Sequence, residues 1–258
     1  FDLKTLALIC EQPISEVFAS LKIAIQSGFI INSSALDSEL LFQDYKFGHD
    51  RIQQAAYALI ADDYKQAVHL KIGHLLLENT SSQDLSEAIF DIVDHFNLGA
   101  DKVTQQAERD KITELNLTAA RKAKDATAYQ ATEKYLSKAL ELLPENSWQS
   151  HYQTTLDTYI ETVEVAYLNG KFKQMEHFSA IVLENALSVL DKVKVYEVKI
   201  QSYVAQNQLR KAIRTALEIL AACGNALSES PTDADVKRAL YNTQSQWIDQ
   251  PIESLIDL

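Results

Sequence analysis

Apolar positions recur along this chain with a helical period almost throughout, interrupted by one short stretch that alternates. Leu3, Leu6, Ala7 and Ile9 define a short amphipathic helix that must end before Pro13. Val17, Leu21, Ala24 and Ile25 define a second over about residues 15–26, with Gly28 as its C-terminal stop. Phe29, Ile30 and Ile31 then read as a strand, and residues 32–44 as a loop. Tyr45 and Phe47 flank Lys46 with the period of a half-exposed strand that would pair back on the first. Gly48 permits a turn, Asp50 stands where an N-cap belongs, and Gln53 follows at capping-box spacing. Ile52, Ala55, Ala56, Leu59 and Ile60 continue as one stripe of a third helix. Helix, helix, hairpin, helix predicts a winged-helix-like domain over residues 1–61, with its first helix lying upstream.

From Asp62 onward the pattern predicts helices only. Tyr64, Val68, Ile72, Leu75 and Leu76 form one stripe; Ser82 opens the next helix, where Leu85, Ile89, Ile92 and Phe96 keep the period until Gly99. Residues 62–103 therefore read as connecting helices. A repeat follows over 104–227. One helix carries Leu117, Ala120 and Ala123, and its partner Ala131, Tyr135, Ala139 and Leu142 before Pro144. The next pair turns at Asn169-Gly170-Lys171 and returns with Phe172, Met175, Phe178 and Val182. Another turns at Gln206-Asn207-Gln208 and returns with Leu209, Ala212, Ala216 and Ile219. Gly170 and Asn207 lie 37 positions apart, near the roughly 34-residue period of tetratricopeptide hairpins. The expected fold class is all-α with a small β-hairpin wing: a truncated winged helix followed by a tetratricopeptide-like α-solenoid. Residues 228–258, with Pro231 and Pro251 around one short helix, read as a partial repeat or a linker to a downstream domain.

Composition narrows the function. The 258 residues include only six glycines and four prolines, which favours long helices over a turn-rich β fold. A formal charge of −12 disfavours nucleic acid or anionic membrane as partner, because both need a positive field. The second helix, the candidate recognition helix of a winged fold, carries Lys22 alone against Glu16. Cys10 and Cys223 sit in apolar helical patterns and read as reduced, buried filler in a cytoplasmic protein. The chain has neither an apolar run long enough to cross a bilayer nor a signal-peptide pattern, and its opening at Phe1 reads as a piece of something longer.

The segment FGHDRIQQAAYALI at 47–60 carries a resemblance, and further matches follow it in order: FDIVDHFNLGA at 90–100, LNLTAARKAKDATAY at 115–129, LLPENSWQSHY at 142–152, AYLNGKFKQMEHF at 166–178 and ALSESPTDADV at 226–236. Together they make the chain resemble the region just after the ATPase module in very large bacterial signalling proteins. Those proteins join a serine/threonine kinase, a predicted ATPase of the signal-transduction (STAND) class, a GAF domain and a sensor histidine kinase. The resemblance implies a non-catalytic regulatory region whose partners are the upstream ATPase domain and other domains of the same protein. It also implies a role for His49 and Asp50. In such ATPases a winged-helix His-Asp pair at a helix start folds over the nucleotide, and the histidine contacts the β-phosphate of ADP. Gly48 stands where several relatives carry a larger apolar residue.

The residues themselves limit that role. The chain has no GxxxxGK[ST] loop, so any ATP or ADP site would need the upstream domain, and no cofactor is expected for the chain alone. Without the resemblance, His49 is an ordinary helix-start histidine bonded to local backbone. His69, His74, His95, His151 and His177 offer no i, i+4 histidine pair and no HExxH, so no metal site is expected. Asp91 and His95 share a face as a surface pair, and Glu133, Lys134, Lys171, Lys173 and Glu176 read as solvated helix faces. Trp148, after Pro144-Glu145-Asn146, reads as a wedge between hairpins. Two functions remain: a protein-interaction module presenting a solenoid surface, or a sensor that takes a small-molecule inducer between its Tyr- and Trp-rich hairpins.

Overall fold

A computed structural model describes residues 1–33 and 44–247. Most of the expected loop over 32–44 and the end of the tail, with Pro251, lie outside the described residues. The chain is mostly helical with one two-stranded antiparallel sheet, and it divides into two compact units, Phe1–Ser147 and Trp148–Leu258.

In the first unit, α1 (Leu3–Cys10) starts at Asp2, whose carboxylate accepts the Thr5 N–H at 2.8 Å. Pro13 precedes α2 (Ile14–Gln26), where its missing N–H removes one donor the helix start cannot satisfy. Gly28, at φ 74°, reverses the chain into β1 (Ile30–Asn32). β1 pairs with β2 (Tyr45–Phe47) in the register Ile30↔Phe47, Ile31↔Lys46 and Asn32↔Tyr45. The residues before α1 join the edge of this hairpin, through the Tyr45 N–H to Phe1 carbonyl bond at 2.7 Å and an antiparallel bridge between Asp2 and Asp44. Leu3, Ala7, Val17, Leu21 and Tyr45 form the small core between helices and hairpin. α3 (Asp50–Ala58) follows directly.

α4 (Asp62–Asn79) and α5 (Leu85–Gly99) pack against each other, with Ile89, Ile92, Val93 and Phe96 of α5 fully buried. The expected opening at Ser82 moves three residues on, because Ser81 and Asp84 bond one another in a turn ahead of the helix. Gly99 ends α5, as its spacing predicts, and it also permits a close crossing. A β-carbon there would stand 2.8 Å from the Gln66 carbonyl oxygen and the Leu70 nitrogen of α4. After a single 3-10 turn at Ala100–Lys102 come α6 (Gln106–Asp125) and α7 (Tyr129–Leu142), paired along Leu117, Ala120, Ala123, Leu136, Ala139 and Leu142.

A four-residue turn of helix, α8 (Ser147–Ser150), precedes the second unit's hairpins. These are α9 (Tyr152–Leu168) with α10 (Phe172–Asn185), and α11 (Val189–Ala205) with α12 (Leu209–Ala222). α11 packs on both α9 and α10, burying Val163, Ala166, Met175 and Val198 in one cluster and Leu156, Val182 and Val195 in another. Among the described residues no strand follows Asp62, in line with the pattern.

The α6–α7, α9–α10 and α11–α12 turns are the same structure built three times. Thr127, Gly170 and Asn207 each take a left-handed conformation, at φ 58°, 70° and 57°. In each, the following N–H reaches back five residues: Ala128 to Ala123, Lys171 to Ala166 and Gln208 to Tyr203, at 2.8–2.9 Å. This closure satisfies a carbonyl that the ending helix would leave unpaired. α13 (Asp233–Trp247) forms the short helix of the tail, and its residues up to Ser245 are all exposed.

Both cysteines are exposed, contrary to the expectation of buried filler. Cys10 closes α1 beside the left-handed Glu11, and Cys223 caps α12 beside the left-handed Gly224, so each lies at a helix end where the apolar face has already run out.

Candidate functional site

The Gly48-His49-Asp50 junction joins β2 to α3. Gly48 donates its N–H to the Phe29 carbonyl at 2.8 Å, extending the hairpin by one bond. Its need for glycine comes from proximity and not from an unusual φ: a β-carbon would stand 2.7 Å from the Gly28 carbonyl oxygen. The two glycines lie back to back at the root of the two-stranded sheet.

The helix cap is His49, one residue earlier than the pattern of polar side chains predicts. His49 has extended backbone, and its Nδ1 accepts the Arg51 N–H at 3.1 Å. Asp50 is the first helical residue, and its carboxylate meets the positive end of the helix dipole. The expected capping box between Asp50 and Gln53 is thus replaced by an imidazole cap. The cap assigns the tautomer: Nδ1 must be unprotonated to accept, so the neutral ring carries its proton on Nε2. Both residues are exposed, and His49 presents a hydrogen-bond donor beside the N-terminus of α3.

The stripe expected to bury α3 does not do so. Ile52 and Ile60 are half-buried, but Ala55 and Ala56 are exposed and Leu59 is 88% exposed. What ties α3 down is polar. The Tyr57 hydroxyl lies 2.9 Å from His69 Nε2 on α4, and the Lys65 ammonium sits 4.8 Å from the Tyr57 ring centroid. His69 Nδ1 in turn lies 2.9 Å from His95 Nδ1 on α5, with the rings 5.1 Å apart. Burial lowers the pKa of both imidazoles; for His95 the neighbouring His69 adds to this, while Asp91 and Asp94 oppose it. Sequence reasoning placed His95 in a surface pair with Asp91. The His69–His95 contact joins two helices 26 residues apart, and no local spacing marks it.

The remaining histidines occupy separate places. His74 pairs with Glu108 at 2.8 Å and sets its ring edge-on to Phe96. His151 bonds Ser150, and His177 packs its ring near Phe178. Among the described residues no group of three or more His, Cys, Asp or Glu side chains could hold a metal ion. Trp148 stacks on Tyr159 at 5.3 Å, tilts on Tyr152, and packs on the cluster of Leu156, Val182 and Val195.

Glu176 corrects the reading of a solvated face. It accepts from Lys199 at 2.8 Å and from Tyr203 at 2.7 Å, linking α10 to α11. Burial opposes its charge, but these two bonds and the charges of Lys199 and Lys211 outweigh that, so its carboxyl lies below the usual range. The Tyr203 hydroxyl, half-buried and facing this carboxylate, is pushed up to about 12.

Among known proteins, the chain is similar to the hybrid signal transduction histidine kinase G of Dictyostelium discoideum, at 25% identity over 237 residues. The match covers 83% of this chain and 7% of that protein. No protein-family model matches the chain, and no solved structure does. Among the described residues no helix is long and apolar enough to cross a membrane.

Proposed function

We propose that this chain is a non-catalytic regulatory and protein-interaction region of a multidomain signalling kinase, coupling an upstream ATPase switch to kinase output. In this reading residues 1–61 are a truncated winged helix, the paired helices beyond them a tetratricopeptide-like solenoid, and the whole works in the cytoplasm. The observation that carries it is a likeness to a signal transduction histidine kinase that runs along most of this chain yet takes in only 7% of that protein. The fold is compatible with the division of labour: three αα-hairpins closed by one kind of turn, and a wing-borne helix whose apolar stripe is covered only in part, at Ile52 and Ile60.

His49 and Asp50 are the proposed nucleotide-facing pair, acting only with the ATPase domain present. The outward Nε2–H of His49 can donate to a phosphate oxygen while Nδ1 remains engaged in the cap. ADP retention in the longer protein tests this. His49→Ala should release ADP faster than wild type, and equal retention removes His49 from the site.

The alternative, a small-molecule sensor, has weaker support. The aromatic residues that would line its cavity, Trp148, Tyr152, Tyr159 and Phe178, pack on each other and on buried aliphatics. A pull-down with the full chain distinguishes the two: capture of the protein's own ATPase or kinase domains favours the interaction module.

A further inference from the structure

The helix that carries His49 is short, nearly unburied and tied to the rest of its unit by a chain of titratable groups. α3 has nine residues, none of them buried. An isolated helix below about 12–15 residues is marginal in water, so α3 depends on its tertiary ties. Those ties are the junction with β2, the His49 cap and the Tyr57–His69 bond. His69 depends in turn on His95, because the two rings share one Nδ1–Nδ1 contact of 2.9 Å.

We propose that Tyr57, His69 and His95 form a pH-sensitive latch that holds α3 against α4 and α5 and opens on acidification. The chemistry follows from proton counting. With both imidazoles neutral, one Nδ1–H lies between the rings and Tyr57 donates to His69 Nε2 or accepts from it, so every partner is satisfied. A first added proton is tolerated: a charged His69 can donate from Nδ1 to His95 and from Nε2 to the Tyr57 oxygen. A second puts an N–H on each facing nitrogen and two positive charges on rings 5.1 Å apart; the rings turn away from each other, and His69 is carried off the Tyr57 hydroxyl.

The groups around the latch set its sense. Lys65 stands over the Tyr57 ring and pairs with Asp62; Gln66, beside it on α4, bonds Asp101. On α5, Asp91 and Asp94 face His95 and favour the first proton, and Asp94 also receives the Tyr135 hydroxyl of α7. Burial and the mutual repulsion of the rings work against the second. A histidine whose folded pKa is depressed lends stability that is complete above its unfolded pKa, about 6.5, and is lost as pH falls below it. The latch is therefore closed at neutral pH and opens under mild acid. It is a property of this chain by itself and goes beyond any role of α3 in contacting an ATPase.

Nuclear magnetic resonance of the full chain tests the proposal, with 13Cα shifts of residues 50–58 reporting helix and imidazole 15N shifts reporting the ring protons. Between about pH 7.5 and about pH 5 the helical shifts of α3 should fall by about half or more, following a second histidine inflection below about 6.5. In Tyr57→Phe, which alters neither histidine, they should already be low at neutral pH and no longer respond. His95→Gln should likewise abolish the response, with α5 methyl resonances as the control for folding. Helical shifts in the wild type that ignore pH, or a Tyr57→Phe curve that overlays the wild type, overturn the latch.

Discussion

At the scale of single residues, the root of the two-stranded sheet and the helix–helix turns show two different reasons for a small or left-handed residue. Gly48 is required by proximity: the position needs no unusual φ, but a β-carbon meets backbone, which cannot swing aside as a side chain can. Gly48→Ala should therefore lower stability by about 1–3 kcal/mol in denaturant titrations, the usual range for overpacking. Thr127 presents the opposite case. It is a β-branched residue at φ 58°, in a turn where its counterparts are Gly170 and Asn207. Thr127→Gly relieves that strain at the expense of some unfolded-chain entropy, and should stabilise by about 0.5–1 kcal/mol in the same measurement. The contrast explains what the sequence could disclose. The turns at Gly170 and Asn207 were legible because glycine and asparagine advertise a left-handed site. The one at Thr127 was hidden behind a residue that disfavours it. The local backbone bond of His49 was legible from its place at the helix start, but its role as the cap was not, since aspartate is the commoner cap and stands next in line.

At the scale of elements, the longer helices were legible from apolar period, whereas the short turn of helix at Ser147–Ser150 and the polar ties between helices were not. Glu176 reaches Lys199 and Tyr203, 23 and 27 residues away. Tyr152 donates to Asp191, 39 residues away, while accepting the Leu187 N–H. Asp191 also completes the capping box of α11 with Ser188. The side-chain bond from Tyr152 does most to lower the Asp191 pKa, burial opposes it, and the two bonds with Ser188 add to the lowering. The capping box has a local spacing, but no spacing rule connects Glu176 to Lys199 and Tyr203 or Tyr152 to Asp191; only the packing of α11 on α9 and α10 does. Ser188→Ala should cost about 1 kcal/mol, the typical loss of an N-cap, read as a lowered denaturant midpoint. The two carboxylates also set an acid limit. Both pKa values lie below their unfolded values, 4.5 for Glu176 and 3.8 for Asp191, so their stabilisation is present above those values and is lost as pH falls through the lower, folded ones. Tyr203 acts at the other extreme. Its raised pKa gives stability that is complete below about 10 and lost as pH rises towards about 12. In Glu176→Gln the acid slope should become shallower, and an unchanged slope would show that Glu176 is not its source.

At the scale of the whole molecule, charge and missing chemistry decide what the chain can do unaided. Its formal charge is −12, and ADP is itself an anion, so the long-range field repels the ligand that the junction is proposed to meet. The junction offers one imidazole donor and one helix start on a nine-residue helix. A phosphate site that binds tightly surrounds its ligand with several backbone N–H groups and a cation, as a GxxxxGK[ST] loop does, and this sequence contains no such loop. Isothermal titration of the chain with ADP should therefore show no saturable binding tighter than about 1 mM, roughly 4 kcal/mol. Screening with salt should not rescue it, since the deficit is in donors and not only in field. Micromolar binding by this chain alone would contradict the division proposed here, in which His49 completes a site that another domain supplies.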